Sequence, residues 1–269
     1  MLNGWAVTSR STSDPPHVEA SDGLGEGALI VTPTYNERSN LKAFVEATLG
    51  TAPRAHLLIV DDNSPDGTGL LADEIAARDS RVRVLHRPGK LGLGTAYVAG
   101  FHMGLRDGYR YLFEMDADLS HDPKYLPDFF AALEQGADLV IGSRNIPGGG
   151  VEGWGPGRHF VSKGGSLYSR LILGVSVRDL TSGYKGFRSQ AVAAIFGDHV
   201  DSNGYSFQIE MSYRALQSGL KIVEVPIVFV DRRVGESKMD ARIFAEAVVA
   251  VWKLRFQALR RQLEKRRDR

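Results

Sequence analysis

An α/β domain on a mostly parallel, Rossmann-like sheet flanked by helices is the fold class this sequence predicts, on three observations. Apolar, β-branched runs alternate with amphipathic segments from Ala28 onward, the pattern of strands joined by crossover helices. Several runs are near-continuous in apolar residues, as strands covered on both faces are. The polar motifs gather at the carboxyl ends of the runs, where open α/β sheets bind ligands.

The elements follow in order. Residues 1–27 are rich in Ser, Asp, Gly and Pro without periodicity and read as a disordered arm or linker. Strands are expected at Leu29–Thr32, Leu57–Asp61, Val82–His86, Tyr111–Met115 and Asp138–Ile141. Helices are expected between them at Asn40–Leu49, Gly69–Arg78, Thr95–Leu105 and Lys124–Leu133. Pro123 suits a first helical turn and Asp122 its cap. Residues 144–160 form a Gly-rich loop with Trp154. Helices then cover Ser162–Leu173 and Ser206–Ser218, and short strands lie near Ile222–Val225 and Ile227–Val230. The main domain spans 28–240. Residues 241–269 form an amphipathic helical tail, with Phe244, Val248, Trp252, Phe256, Leu259 and Leu263 along one face.

The chain has 269 residues, 43% of them hydrophobic, enough for one such domain with extensions. It has no Cys, which excludes disulfides and thiolate metal sites. A net charge of +1 gives no global field that would steer it to nucleic acid, although the C-terminal end is strongly basic. No apolar run resembles a signal peptide, and none reaches the roughly 18–20 residues a membrane-spanning helix needs. A soluble or peripheral protein is expected.

Asp116-Ala-Asp118 follows the run Tyr111–Met115. Alternate residues of an extended segment point the same way, so both carboxylates can face one ion. Hard oxygen ligands suit Mg²⁺ or Mn²⁺ shared with substrate phosphates, although a turn or cap would use the same residues. Pro33-Thr-Tyr-Asn-Glu37 closes the first strand, and Val60-Asp-Asp-Asn-Ser-Pro-Asp-Gly-Thr68 the second. Turn chemistry accounts for Asn63, Pro65 and Gly67, with Ser39 and Asp66 as candidate caps. Turn chemistry leaves the adjacent carboxylates Asp61 and Asp62 over. A carboxylate there can accept from the donor edge of a base, and Tyr35 offers a stacking face. Arg87 to Thr95 follows the third strand and opens a helix, a place for phosphate with Arg87 or Lys90 adding charge.

These motifs, with Lys90-Leu-Gly-Leu-Gly-Thr-Ala96, Asp116-Ala-Asp-Leu-Ser-His121 and Gly142-Ser-Arg144, occur in this order. The ordered set resembles the inverting family-2 glycosyltransferases, and among them the polyprenol (dolichol) phosphate mannose synthases, from about residue 28 to about 240. The resemblance implies a GT-A fold. Pro33, Tyr35, Glu37, Asp61, Asp62, Lys90 and Asp116 would then hold the nucleotide, and Asp116 and Asp118 a divalent metal. Some family members carry Gln where this chain has Ser120, which leaves Ser120 a poorer third ligand.

Inverting transfer to an alcohol needs a general base, and the Glu-Asp and Gln-x-x-Arg-Trp signatures that many family members use for it are absent. After residue 143 the chain is instead rich in cations: Arg144, Arg158, Lys163, Arg178, Lys185, Arg232, Arg233 and Lys238. That suits a phosphate monoester acceptor, which is already largely a dianion near neutral pH because its second pKa is about 6. By resemblance, Arg144, Arg158 and Ser162 hold the acceptor phosphate, and Arg232 and Lys238 reach the diphosphate from a loop. The catalytic candidates are Asp118, Arg144 and Arg232; Arg178, Lys185 and Arg233 read as ordinary surface cations. The expected reaction moves mannose from GDP-mannose to polyprenyl phosphate at the cytoplasmic face of a membrane. An integral membrane partner protein is a further expectation. The rival readings are a UDP-glucose or UDP-N-acetylglucosamine donor and, further off, a non-catalytic nucleotide-sugar-binding module.

Overall fold

The computed structural model describes residues 8–9, 23–153, 156–196, 205–230, 249, 251–257 and 260; for 8–9, 156–163 and 205 it describes the backbone alone. The first half of the chain runs β1 (Thr8–Ser9), β2 (Ala28–Thr34), α1 (Arg38–Thr51), β3 (His56–Asp61), α2 (Thr68–Ala76), β4 (Val82–His86), α3 (Leu93–Arg106) and β5 (Tyr111–Glu114). A single 3-10 turn, Pro123–Tyr125, then leads into α4 (Leu126–Glu134). The second half adds β6 (Leu139–Ser143), β7 (Gly150–Glu152), α5 (Pro156–Leu173), β8 (Lys185–Arg188), α6 (Ser189–Phe196), α7 (Tyr205–Gln217), β9 (Ile222–Pro226) and β10 (Val228–Val230).

Eight strands form the central sheet in the order β1-β9-β6-β8-β5-β2-β3-β4. All pairs are parallel except those of β8, which runs antiparallel to both β5 and β6. β7 and β10 pair as a separate parallel ribbon. The continuous apolar runs explain the parallel core. Leu29, Val31, Leu58, Val60, Leu112 and Ile141 face one apolar layer, while Ala28, Ile30, Leu57, Ile59, Phe113 and Val140 face the other. Along β2, β3, β5 and β6 successive residues thus face opposite apolar layers, and both faces of the sheet are covered there.

The chain steps outward through β2, β3 and β4, then returns across β2 to lay down β5 on the other side. This reversal is the topological switch at which open sheets form their ligand crevice. α3 makes the return crossing and lies very close to the sheet. A Cβ on Gly100 would come 2.4 Å from Val31 Cγ1, and one on Gly104 2.3 Å from Leu112 Cδ2.

The expected strands and helices are present, with several longer than the sequence suggested. α5 begins at Pro156, six residues before the expected Ser162, with proline at a first-turn position. Asp122 accepts from the backbone N–H of Lys124 at 3.0 Å, the expected cap. α1 begins before Ser39, so that residue is not its cap. Four elements had no sequence signal: β1, β7, β8 and α6. β8 contains Lys185 and Gly186 where a strand pattern calls for apolar residues, and α6 follows it with no loop. Of the expected tail, 251–257 is helical, with Val251 and Leu254 buried. Arg232, Arg233 and Lys238 lie outside the described residues, as do Trp154 and most of 1–22. Among the described residues no helix is long and apolar enough to cross a membrane.

Candidate active site

The carboxyl ends of β3, β2, β5 and β6, with the amino end of the antiparallel β8, carry almost every polar group the sequence singled out. β2 separates β3 from β5, and β8 separates β5 from β6. The three functional clusters are therefore spaced by two strand widths each, about 10 Å.

At the β3 end the two adjacent carboxylates have different tasks. Asp61 is buried; its Oδ1 accepts from Thr34 Oγ1 (3.0 Å) and Ser64 Oγ (2.6 Å), and its Oδ2 from the Ser64 N–H (3.1 Å). Asp62 forms a buried two-pronged pair with Arg87, Nε to Oδ1 at 2.5 Å and Nη2 to Oδ2 at 2.7 Å. Arg87 also donates to Thr95 Oγ1 (2.8 Å) and the Gly92 carbonyl (3.1 Å). It therefore ties the Gly-rich loop to the strand end, which corrects its reading as a phosphate-binding cation. Lys90 stands with its ammonium 4.6 Å over the Tyr35 ring, a cation–π contact that brings two expected nucleotide residues together. Pro33 is half-buried at the end of β2, and Glu37 accepts from Asn40 Nδ2 at 2.9 Å. Asp66 serves two helix starts at once. Its Oδ1 accepts from the Thr68 N–H of α2 and its Oδ2 from the Arg38 N–H of α1. Partial burial works against its charge, but the hydrogen bonds from Thr68 and Arg38 outweigh it and hold its pKa below the ordinary value.

At the β5 end Asp116 Oδ1 accepts from Tyr97 Oη at 3.0 Å, and the Asp116 N–H donates to His121 Nδ1 at 3.1 Å. Burial first, then the charge of Asp116, push the Tyr97 phenol well above its usual range, so it stays a donor. Leu119 adopts φ 61°, a left-handed conformation unusual for a branched side chain. This bend turns the Ser120 N–H (3.0 Å) and Oγ (2.5 Å) back onto Asp118 Oδ1. The Ser120 hydroxyl thus orients Asp118. Gly183 faces this cluster. A Cβ there would sit 3.3 Å from His121 Cε1, 3.6 Å from Gln208 Nε2 and 3.8 Å from Asp116 Oδ2. Among the described residues no group of three or more His, Cys, Asp or Glu could hold a metal alone. Two oxygen-only carboxylates beside a side-chain-free glycine fit a divalent ion that takes the rest of its shell from phosphate and water.

Behind the pair lies a buried ion pair that the sequence did not signal. Glu114, on the same side of β5 as Asp116, is opposed in register by Lys185 of β8, and Lys185 Nζ lies 4.0 Å from Glu114 Oε2. Lys185 also donates to the Ser182 carbonyl at 2.7 Å and to Gln208 Oε1. It is fully buried, which overturns its reading as a surface cation. Burial pulls its pKa down to about 8 and pushes Glu114 up to about 7, each shift opposed by the partner's charge.

At the β6 end Arg144 is not a loose surface cation. Nε and Nη2 donate to Asp179 Oδ2 and Oδ1, each at 2.8 Å, its backbone N–H reaches Oδ2 at 3.0 Å, and Nη2 also donates to Thr181 Oγ1 at 2.9 Å. Its guanidinium lies 5.6 Å from the Phe229 ring centre. Burial opposes the Asp179 charge, but the Arg144 cation and these hydrogen bonds hold its pKa below the usual carboxylate range. Glu224 of β9 accepts the Arg178 and Asp179 N–H groups at 2.9 and 3.0 Å and so fixes the loop that carries Asp179. Arg158 and Ser162 lie on α5, and their side chains are outside the described residues. Of the residues that order the site, His121 closes the Asp116–His121 motif, while Tyr97, Asp179, Thr181 and Glu224 had no motif of their own.

The family model for glycosyl transferase family 2 matches residues 29–196. The chain is 50% identical over 230 residues, 84% of its length and 87% of the relative's, to a polyprenol monophosphomannose synthase of Mycolicibacterium smegmatis. It is 48% identical over 239 residues, 87% of its length and 98% of the relative's, to an undecaprenyl-phosphate mannosyltransferase of Micrococcus luteus. Among solved structures, glucosyl-3-phosphoglycerate synthase of Mycobacterium tuberculosis bound to Mn²⁺, UDP and its product superimposes with a TM-score of 0.65 at 18% identity. That match covers 93% of this chain and 88% of the other. The likeness is one of fold, a GT-A-like, mostly parallel sheet flanked by helices.

Proposed function

Because this chain belongs to glycosyl transferase family 2, we propose that it transfers mannose from GDP-mannose to polyprenyl phosphate, with inversion at the anomeric carbon. The observation that carries this reading is the identity of about half, over most of both chains, with two enzymes named for polyprenyl-phosphate mannosyl transfer. The site chemistry supports it.

The nucleoside enters the mouth formed by Pro33, Tyr35, Glu37 and Lys90, whose wall Asp61 and Asp62 shape through Thr34, Ser64 and Arg87. Asp116 and Asp118 would hold Mg²⁺ or Mn²⁺, which when bound supplies charge neutralisation for the departing diphosphate. Tyr97 and Ser120 fix those carboxylates so that little reorganisation is needed. Arg144, held by Asp179 and Thr181, offers a fixed positive charge to the acceptor phosphate, and Arg158 and Ser162 of α5 are assigned to the same group. Arg232 and Lys238 are assigned to the diphosphate by their charge. Together these cations offset the repulsion between two anionic substrates and hold an oxyanion in line with the anomeric carbon. A phosphate dianion needs no deprotonation, which is why the site works without the Glu-Asp base. The lipid acceptor places the enzyme at a membrane surface, on the cytoplasmic side where the nucleotide sugar is made.

The test is transfer from radiolabelled GDP-mannose to a short polyprenyl phosphate. Asp118→Ala and Arg144→Ala should each lower the rate by about 10²-fold or more. Unlabelled GDP should compete with the donor far better than UDP. Equal rates in the parent and both variants would remove the assignment.

A further inference from the structure

We propose that the C-terminal helical segment docks this protein on an anionic lipid bilayer, through an aromatic and basic face that it keeps in solvent. Residues 251–257 are helical, and their two sides differ in kind. Val251 and Leu254 are buried and join the apolar layer that holds Leu173, Phe196 and Leu216. Val249, Trp252 and Phe256, spaced i, i+3 and i+7 on one face, remain 67, 43 and 63% exposed. The Trp252 and Phe256 rings lie side by side, with centres 5.8 Å apart. Lys253 and Arg260 are exposed on the same short segment. The sequence continues with Arg261, Lys265, Arg266, Arg267 and Arg269 against only Glu264 and Asp268.

Charge complementarity selects the occupant. Trp and Phe beside Lys and Arg match the headgroup boundary of a membrane, where the rings enter the acyl edge and the cations meet anionic lipid. The flank of α5 adds to this. Leu167 and Leu171 are 53 and 72% exposed, while Tyr168, Ile172 and Leu173 of the same helix pack on the layer that seats Val251. Both exposed apolar stripes therefore ride on one side of the sheet, and α5 also carries the acceptor candidates Arg158 and Ser162. The proposal deepens the lipid-acceptor reading by naming how the enzyme reaches its substrate, but its evidence is the helix itself.

The test uses the full chain with vesicles of phosphatidylcholine, alone or mixed with phosphatidylglycerol, read by co-sedimentation. The parent should bind the mixed vesicles, bind the neutral ones far less, and release in high salt. Trp252→Ser/Phe256→Ser should weaken binding about tenfold or more, while transfer to a short acceptor in detergent stays at the parent rate. Lys253→Glu/Arg260→Glu should remove the preference for anionic lipid. Parent protein that binds neither vesicle, that binds both equally, or that binds as well without the two rings overturns the proposal; binding to neither would point to a protein partner instead. Vesicle binding without any sugar transfer supports the docking and counts against the mannosyl-transfer reading alone.

Discussion

Asp179 illustrates how much of this site is carried by a residue that never touches the proposed reaction. Its carboxylate is fully buried and accepts four hydrogen bonds, three of them from Arg144. Removing the charge strands a buried guanidinium, so Asp179→Asn should cost about 3–5 kcal/mol of stability. It should also raise KM for polyprenyl phosphate more than KM for the nucleotide sugar, measured by steady-state kinetics on the folded fraction. The pH sign follows from the direction of the shift. The folded pKa lies below the unfolded one, so the stabilisation is complete above the ordinary carboxylate pKa of about 4 and is lost as pH falls below it. Thermal melts from neutral to acidic pH should show that loss in the parent and a smaller one in Asp179→Asn. Gly183 makes the opposite point, since its value is the absence of a side chain. Gly183→Ala would place a methyl 3.3 Å from His121 Cε1, and should reduce transfer with little change in melting temperature.

At the scale of elements, the crossing of α3 over the sheet is the tightest joint. Ala favours a helix interior over Gly by about 1 kcal/mol, but a methyl on Gly100 would meet the stiff Val31 side chain at 2.4 Å. Overpacking of this kind costs about 1–3 kcal/mol, so Gly100→Ala should lower the urea midpoint rather than raise it. The elements that the sequence disclosed, β2 to β6 and the helices between them, are those whose apolar period matches their burial. β8 escaped because its first half is Lys185-Gly186, a buried cation and a glycine under Phe113, and no period-2 pattern encodes a charge partnered across strands. The site divides in the same way. Asp116, Asp118, Tyr35 and Lys90 lie at strand ends beside recognisable motifs. Asp179 and Thr181 reach Arg144, and Glu224 reaches Asp179, across 35 or more sequence positions, a distance that single-sequence spacing cannot express. Arg87 shows the reverse error: it sits beside a Gly-rich loop like a phosphate ligand, yet its donors are spent on Asp62, Thr95 and Gly92.

Across the whole molecule, one sheet brings three clusters into a line: the proposed nucleoside mouth after β3, a carboxylate pair after β5 and the Arg144 cation after β6. The line reads as a path from nucleotide to diphosphate to acceptor phosphate. Its central physical claim is that the acceptor arrives already ionised, so the protein supplies position and charge and no base. The pH profile should follow the acceptor, with kcat/KM falling as pH drops below the phosphate second pKa of about 6. The most direct measurement compares polyprenyl phosphate with the polyprenol of the same length, each with GDP-mannose and each with and without a chelator. The account predicts transfer to the phosphate alone, abolished by chelation. Equal transfer to the neutral alcohol, or transfer to the phosphate that survives chelation, would contradict it.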